Sequence, residues 1–102
     1  MIKVSVMYPN SSEATFDVNY YLEKHMPMVS DLLGESLKDS SVDLGITSGE
    51  NGEPPIYVAI AHMSFDSVDA FKQSFGANLE QIQGDTVNFT DITPEVQISE
   101  IR

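Results

Sequence analysis

Residues 56–64, Ile-Tyr-Val-Ala-Ile-Ala-His-Met-Ser, constrain the fold more than any other part of the chain. Ile56, Val58, Ile60 and His62 alternate with Tyr57, Ala59, Ala61 and Met63, so a strand here is apolar on both faces. A strand with one wet face alternates apolar with polar, whereas one that is apolar on both sides belongs at the centre of a covered sheet. The chain has 102 residues to supply those covers, which is one domain's worth. Oligomerisation is an economical way for so short a chain to cover the face its own helices leave bare.

The remaining segments fit around that strand. Residues 2–8 have period two, with Ile2, Val4, Val6 and Tyr8 on one face and Lys3, Ser5 and Met7 on the other. Pro9-Asn10-Ser11-Ser12 is a turn cluster. Helical spacing follows at Val18, Tyr21, Leu22, His25, Met26, Val29, Leu32 and Leu33, with Asp17 as N-cap and Gly34 as stop. Pro27 lacks an N–H and disfavours α geometry at Met26, which predicts two short helices or one kinked helix. Pro27 then stands near the first position of the second piece. Val42, Leu44 and Ile46 predict a strand over 38–48, and Gly49 to Pro55 a hairpin connection. Asp66 is the expected cap of a second helix, with Val68, Phe71, Phe75, Leu79 and Ile82 inward and Gly84 at its end, and Gly76 and Asn78 weaken the helical pattern after about residue 76. Residues 85–94 read as an irregular loop and 96–101 as a last strand. The order β-α-β-β-α-β is the ferredoxin-like arrangement, α+β, with a four-stranded antiparallel sheet and both helices on one face. The single domain spans residues 1–102.

Charge and composition narrow the function. Sixteen acidic against five basic residues give a net charge of −11. Nucleic-acid binding needs clustered Lys and Arg, and anionic membranes repel such a chain. There is no cysteine, hence no disulfide, thiolate ligand or cysteine nucleophile. The N-terminus alternates rather than forming a basic region and an apolar run, so no signal peptide is expected and the predicted address is the cytoplasm. No apolar run nears the roughly 18 residues of a membrane span. Phosphate-cradling glycine motifs and the Gly-x-Ser-x-Gly elbow are missing, and no close pair of metal-ligand histidines occurs. No cofactor and no metal are expected.

The segment Phe16-Asp17, Tyr20-Tyr21, His25-Met26-Pro27, with the later Gly84-Asp85-Thr86-Val87-Asn88-Phe89-Thr90-Asp91, resembles the EthD-like family, named for ethyl tert-butyl ether degradation. The resemblance covers essentially the whole chain. It implies the dimeric α+β barrel, in which the sheets of two copies face each other. Wider relatives of that superfamily include cofactor-free monooxygenases, haem-degrading enzymes, lactone isomerases and dehydratases, and fold alone does not choose among them.

His25 is the leading catalytic candidate, because imidazole titrates nearest neutral pH and works as acid or base unaided. Tyr21, four residues earlier, shares its helical face, so ring and phenol are expected to meet. Asp85, after Gly84, is the candidate carboxylate to orient the ring. Asn88 and Phe89 are candidates to bind a substrate oxygen and to form an apolar wall. Tyr57 lies on a strand face with Ala59, Ala61 and Met63, expected opposite Ser5 and Met7, where small side chains leave room for an apolar ligand. Each has a plainer reading: His25 pinning the kink, Asp85 capping a turn, Phe89 anchoring a loop, and the strand face simply close-packed. His62 reads as a satisfied core histidine. The expected function is a cofactor-independent enzyme of the oxygenase, lyase or isomerase type acting on an apolar or aromatic compound. The alternative is a carrier that binds such a compound without turnover.

Overall fold

The computed structural model describes residues 1–102. In chain order it contains β1 (Ile2–Pro9), α1 (Val18–Tyr20), a π-helical turn (Tyr21–His25), α2 (Met26–Leu33), β2 (Asp39–Leu44), β3 (Tyr57–Phe65), α3 (Val68–Ala77), α4 (Leu79–Asp85) and β4 (Glu95–Glu100). The strands form one antiparallel sheet in the order β2-β3-β1-β4, with β3 and β1 central. This is the ferredoxin-like α+β fold, in which α1–α2 and α3–α4 serve as its two helices.

Register decides which residues meet. Val4 pairs with Met63 and Ile98, and Val6 with Ala61 and Val96. These side chains share the helix-covered face, where Val4, Val29, Leu33, Met63, Phe65 and Ile82 form one buried cluster and Tyr8, Tyr21, Ala59, Ala61 and Phe89 another. The expected pairing of Ala59, Ala61 and Met63 with Ser5 and Met7 is therefore wrong by one residue, and such a slip exchanges faces. Ser5 and Met7 instead pair with His62 and Ile60 on the open face. His62 is satisfied by Asp43 Oδ2 at 2.9 Å and Ser5 Oγ at 3.3 Å, but on the open face rather than in the core.

Other differences have local causes. β2 stops at Leu44, where Gly45 comes so close to the Tyr57 carbonyl and Pro55 ring that a Cβ would collide with both. The second helical segment breaks at Asn78, within the stretch that Gly76 and Asn78 weaken, and resumes as α4 to Asp85, one residue past Gly84. The Asn78 amide donates to the Ser74 carbonyl at 2.8 Å and to the Leu32 carbonyl at 3.2 Å, fastening the break to α2. Its cap is Ser67, whose hydroxyl accepts the Ala70 N–H at 3.1 Å, and Asp66 lies one residue outside. Asp17 caps α1 by accepting the Tyr20 N–H at 3.1 Å. No helix is long and apolar enough to cross a membrane.

The capping assignment is testable. Ser67→Ala is expected to lower unfolding free energy by about 1 kcal/mol. Asp66→Ala should change it by less than about 0.5 kcal/mol. Urea denaturation of the two variants would show the reverse order if Asp66 were the cap.

Candidate functional site

The π turn sets the geometry of the site. The Met26 N–H bonds the Tyr21 carbonyl five residues back, and Pro27, within the first two positions of α2, has no N–H to give. The proline thus marks a widened turn, a recognised consequence of interrupting the i→i−4 ladder. Tyr21 and His25 point inward, with 1% and 4% of their surface exposed, while Glu23, Lys24 and Pro27 face solvent.

The segment after α4 is tied to the start of α1. Phe16 and Thr90 form a β-bridge, the Asp17 N–H donates to the Phe89 carbonyl at 2.7 Å, and Thr90 Oγ1 donates to the Thr15 carbonyl at 2.7 Å. Asp91 accepts the Thr15 N–H at 3.0 Å, a bond that holds its carboxyl below the usual carboxylate range.

Between these segments lies a polar network. His25 Nδ1 is 2.9 Å from Asp85 Oδ2. Asp85 Oδ1 accepts from the Tyr20 hydroxyl at 2.7 Å and from Asn88 Nδ2 at 2.9 Å. Burial alone would raise the Asp85 pKa, but the donated bonds from Asn88, Tyr20 and His25 outweigh it and hold the carboxyl below its ordinary value. An ionised carboxylate only accepts, so Nδ1 must carry the hydrogen. In the neutral ring Nε2 is then the basic nitrogen, and it has no hydrogen-bond partner in the protein. The bond to Asp85 raises the Tyr20 phenol's pKa.

Aromatic rings surround the imidazole. Tyr21 stacks on it at 5.7 Å and 16°, and Phe89 lies 4.5 Å away at 52°. A cavity of about 130 Å³ adjoins His25 between the helices and the sheet. Tyr8, Tyr21, Val29, Ala61 and Met63 contribute to its lining, which is mostly apolar. Val96, also lining it, is 57% exposed, so the cavity reaches the surface along β4. A wider, more open depression of about 430 Å³ lies between residues 15–17 and 87–91, and His25 does not line it.

The sequence candidates divide accordingly. Asp85 meets His25, from the last turn of α4 rather than from a loop after it. Tyr21 meets His25 through its ring face and makes no hydroxyl bond to it. Phe89 packs against the imidazole but lines the open depression, not the cavity beside His25. Asn88 turns to Asp85 and to the Tyr20 hydroxyl and does not line the cavity. Tyr57 is remote, because the register shift between Tyr8 and Pro9 sets it opposite Pro9, and its hydroxyl donates to Glu95 at 2.9 Å. Tyr20 and Tyr8 went unassigned. The Tyr20-Tyr21 doublet carried the signal for Tyr20, which joins the network through Asp85 rather than through His25. His25 and His62 occupy opposite faces of the sheet and cannot share an ion, and no three His, Cys, Asp or Glu side chains converge anywhere.

The EthD domain family model matches residues 9–93, and the chain belongs to the EthD family. Among solved structures it is similar to an EthD-like protein of Ralstonia eutropha JMP134, with 41% identity and a TM-score of 0.93 over 97% of this chain and 89% of the other. An ethyl tert-butyl ether degradation family protein of Bacillus halodurans C-125 has 19% identity and a TM-score of 0.77 over 100% and 99% of the chains. A candidate monooxygenase of Shewanella loihica PV-4 has 11% identity and a TM-score of 0.61 over 99% and 93%. The last two likenesses show the fold alone. No curated protein matches the sequence.

The Asp85 network has a pH signature. Its folded pKa is lowered, so its contribution is fully present above the unfolded carboxyl value, about 4. The contribution is lost as pH falls through the folded value. Asp85→Asn is expected to cost about 1–2 kcal/mol at pH 7. Urea denaturation from pH 7 towards pH 3 should show the gap to wild type closing, and a gap independent of pH would contradict an ionised Asp85.

Proposed function

We propose that the protein is a cofactor-independent enzyme for a small apolar or aromatic compound, with His25 Nε2 as general base and then general acid. The observation that carries this reading is the pairing of Nδ1 with a carboxylate held ionised, which leaves the other ring nitrogen unbonded beside an apolar cavity. Asp85 orients the ring and stabilises the imidazolium when it forms, and Tyr20 and Asn88 hold Asp85. Tyr21 stacks on the ring, and Phe89 packs against it at a tilt. Proton abstraction from carbon is the step shared by oxygenase, lyase and isomerase chemistry of this kind, and the distant candidate monooxygenase agrees with one of the three.

The test uses 2-indanone, an apolar ketone with acidic C–H bonds, in D₂O followed by NMR. Wild type is expected to accelerate deuterium exchange above buffer, and His25→Gln to lose that acceleration by a factor of about 100 or more. Binding of 2-indanone without accelerated exchange in wild type would refute the enzyme reading and favour the carrier.

A homodimer belongs to the same proposal. On the open face Met7 and Ile60 lie side by side, partly buried, among Lys3, Ser5, Asp43, His62 and Glu95. A second copy facing this sheet would close the barrel. Sedimentation at micromolar concentration is expected to give twice the chain mass of 11.3 kDa, and a monomer there would rule the barrel out.

A further inference from the structure

The large apolar side chains that stay exposed gather at the two edges of the sheet. β2 and β4 each pair on one side only, which leaves a row of unpaired N–H and C=O groups along both. Of ten such side chains, Val96, Ile98 and Ile101 lie on or just after β4, and Leu44, Ile46 and Ile56 lie at the end of β2 or on the arm to β3. Ile46 is 88% exposed and Ile56 67%. Single exposed apolar side chains are ordinary, whereas a matched row on each edge marks an interaction surface. The cavity beside His25 opens on one of these rows, since Pro94 and Val96 line it. We propose that a second copy of the chain completes this cavity, with its Val42, Leu44 and Ile46 as the outer wall against Val96. This rests on the homodimer reading above and not on the enzyme reading.

Strand sense and register select that occupant. β2 is antiparallel to β3, β3 to β1 and β1 to β4, so β2 and β4 run in opposite directions. When two such sheets face each other across a two-fold axis along the strands, β2 of one copy meets β4 of the other in the opposed sense of an antiparallel ladder. Joined in this way, the two sheets have no edges left. Rotation about that axis keeps each residue at its height. Val6 pairs with Ala61 and with Val96, and Ala61 pairs with Val42, so Val42 of the second copy arrives level with Val96. The same count through Met7 and Ile60 sets Asp43 level with Glu95, which puts Leu44 beside Pro94 and Ile46 beyond it. Val42 and Leu44, opposite Ala61 and Ala59, stand on the helix side of the sheet, where the cavity is. Asp43 and Glu95 do not meet as bare carboxylates, because His62 Nε2 lies 2.9 Å from Asp43 and the Tyr57 hydroxyl donates to Glu95.

The second copy changes what the cavity can hold. In one chain the space of about 130 Å³ is bounded by Val6, Val29, Ala61 and Met63 and lies open along β4. Three aliphatic side chains of the second copy close that side, so the part of a ligand pointing away from His25 meets hydrocarbon instead of water. The site then takes a small compound that is apolar at that end, since a charged group there would be buried unpaired. A lone chain holds the His25–Asp85 pair beside an unfinished cavity, and assembly supplies the missing side.

Cross-linking between introduced thiols tests this, because the chain has no cysteine of its own. The variants are Val42→Cys, Leu44→Cys and Val96→Cys, alone and as the pairs Val42→Cys/Val96→Cys and Leu44→Cys/Val96→Cys, treated with a short bis-maleimide at micromolar concentration. Within one chain β2 and β4 are three strand spacings apart, about 14 Å, so a covalent dimer reports the contact between copies. Each pair is expected to give at least about tenfold more covalent dimer than any single variant, since unlike edges meet and like edges do not. Equal yields from Val96→Cys alone or Leu44→Cys alone would mean that like edges meet and would overturn the proposal. A sedimenting dimer that none of the variants cross-links would overturn it too. Both outcomes leave the homodimer standing, whereas a monomer in sedimentation sinks the homodimer and this inference together. Should Val96→Cys fail to fold, Pro94→Cys, at another lining position, takes its place with Leu44→Cys.

Discussion

The Asp85 carboxylate is the interaction around which the helical layer is organised. It accepts from His25 and Tyr20 on the first helical segment and from Asn88 one turn further along its own. One ionised group thus joins the two helical segments, fixes which imidazole nitrogen bears hydrogen, and leaves the other free. Hydrogen bonds from Asn88, Tyr20 and His25 hold the carboxyl below its ordinary value, against the opposing effect of desolvation. The aromatic packing depends on this arrangement, since the Tyr21 and Phe89 rings contact an imidazole whose plane the carboxylate sets.

Much of this was legible in the chain. The two-faced strand at 56–64 does lie at the sheet centre, Asp17 caps its helix, and Pro27 marks an irregular turn. These are local properties, decided by side-chain periodicity, capping chemistry and a missing N–H. The strand register, by contrast, was settled by partners distant in sequence, while two helix boundaries were missed by a residue. The register between β1 and β3 chose Val4 against Met63, so Ala59 and Ala61 went to the helix side with Val6 and Tyr8. Ser67 rather than Asp66 took the cap because its hydroxyl reaches Ala70. α4 runs one residue past Gly84, which lacks the positive φ that Gly34 has at 56°.

The candidate site was readable in its principal pair and not in its supporting residues. His25 and Asp85 carry the residue types that acid–base chemistry uses, and the structure brings them to 2.9 Å. Tyr20 was hidden because ordinary helical spacing points from Tyr21 to His25, whereas Tyr20 joins the network through Asp85. Tyr57 was misplaced by an irregularity at Tyr8/Pro9 that no periodicity reveals.

The sequence separation of the network has a bearing on how the protein forms. His25 and Asp85 are 60 positions apart in sequence and Thr15 and Thr90 are 75 apart, so both joins close long loops. Such contacts carry a large closure entropy and are gained late relative to local helix and hairpin formation. The segments of β1, the π turn and the β2–β3 hairpin all precede Asp85 in the chain, so they leave the ribosome before Asp85 is there to receive the histidine. During synthesis His25 therefore lacks its carboxylate partner, and the network closes only with the last fifth of the polypeptide.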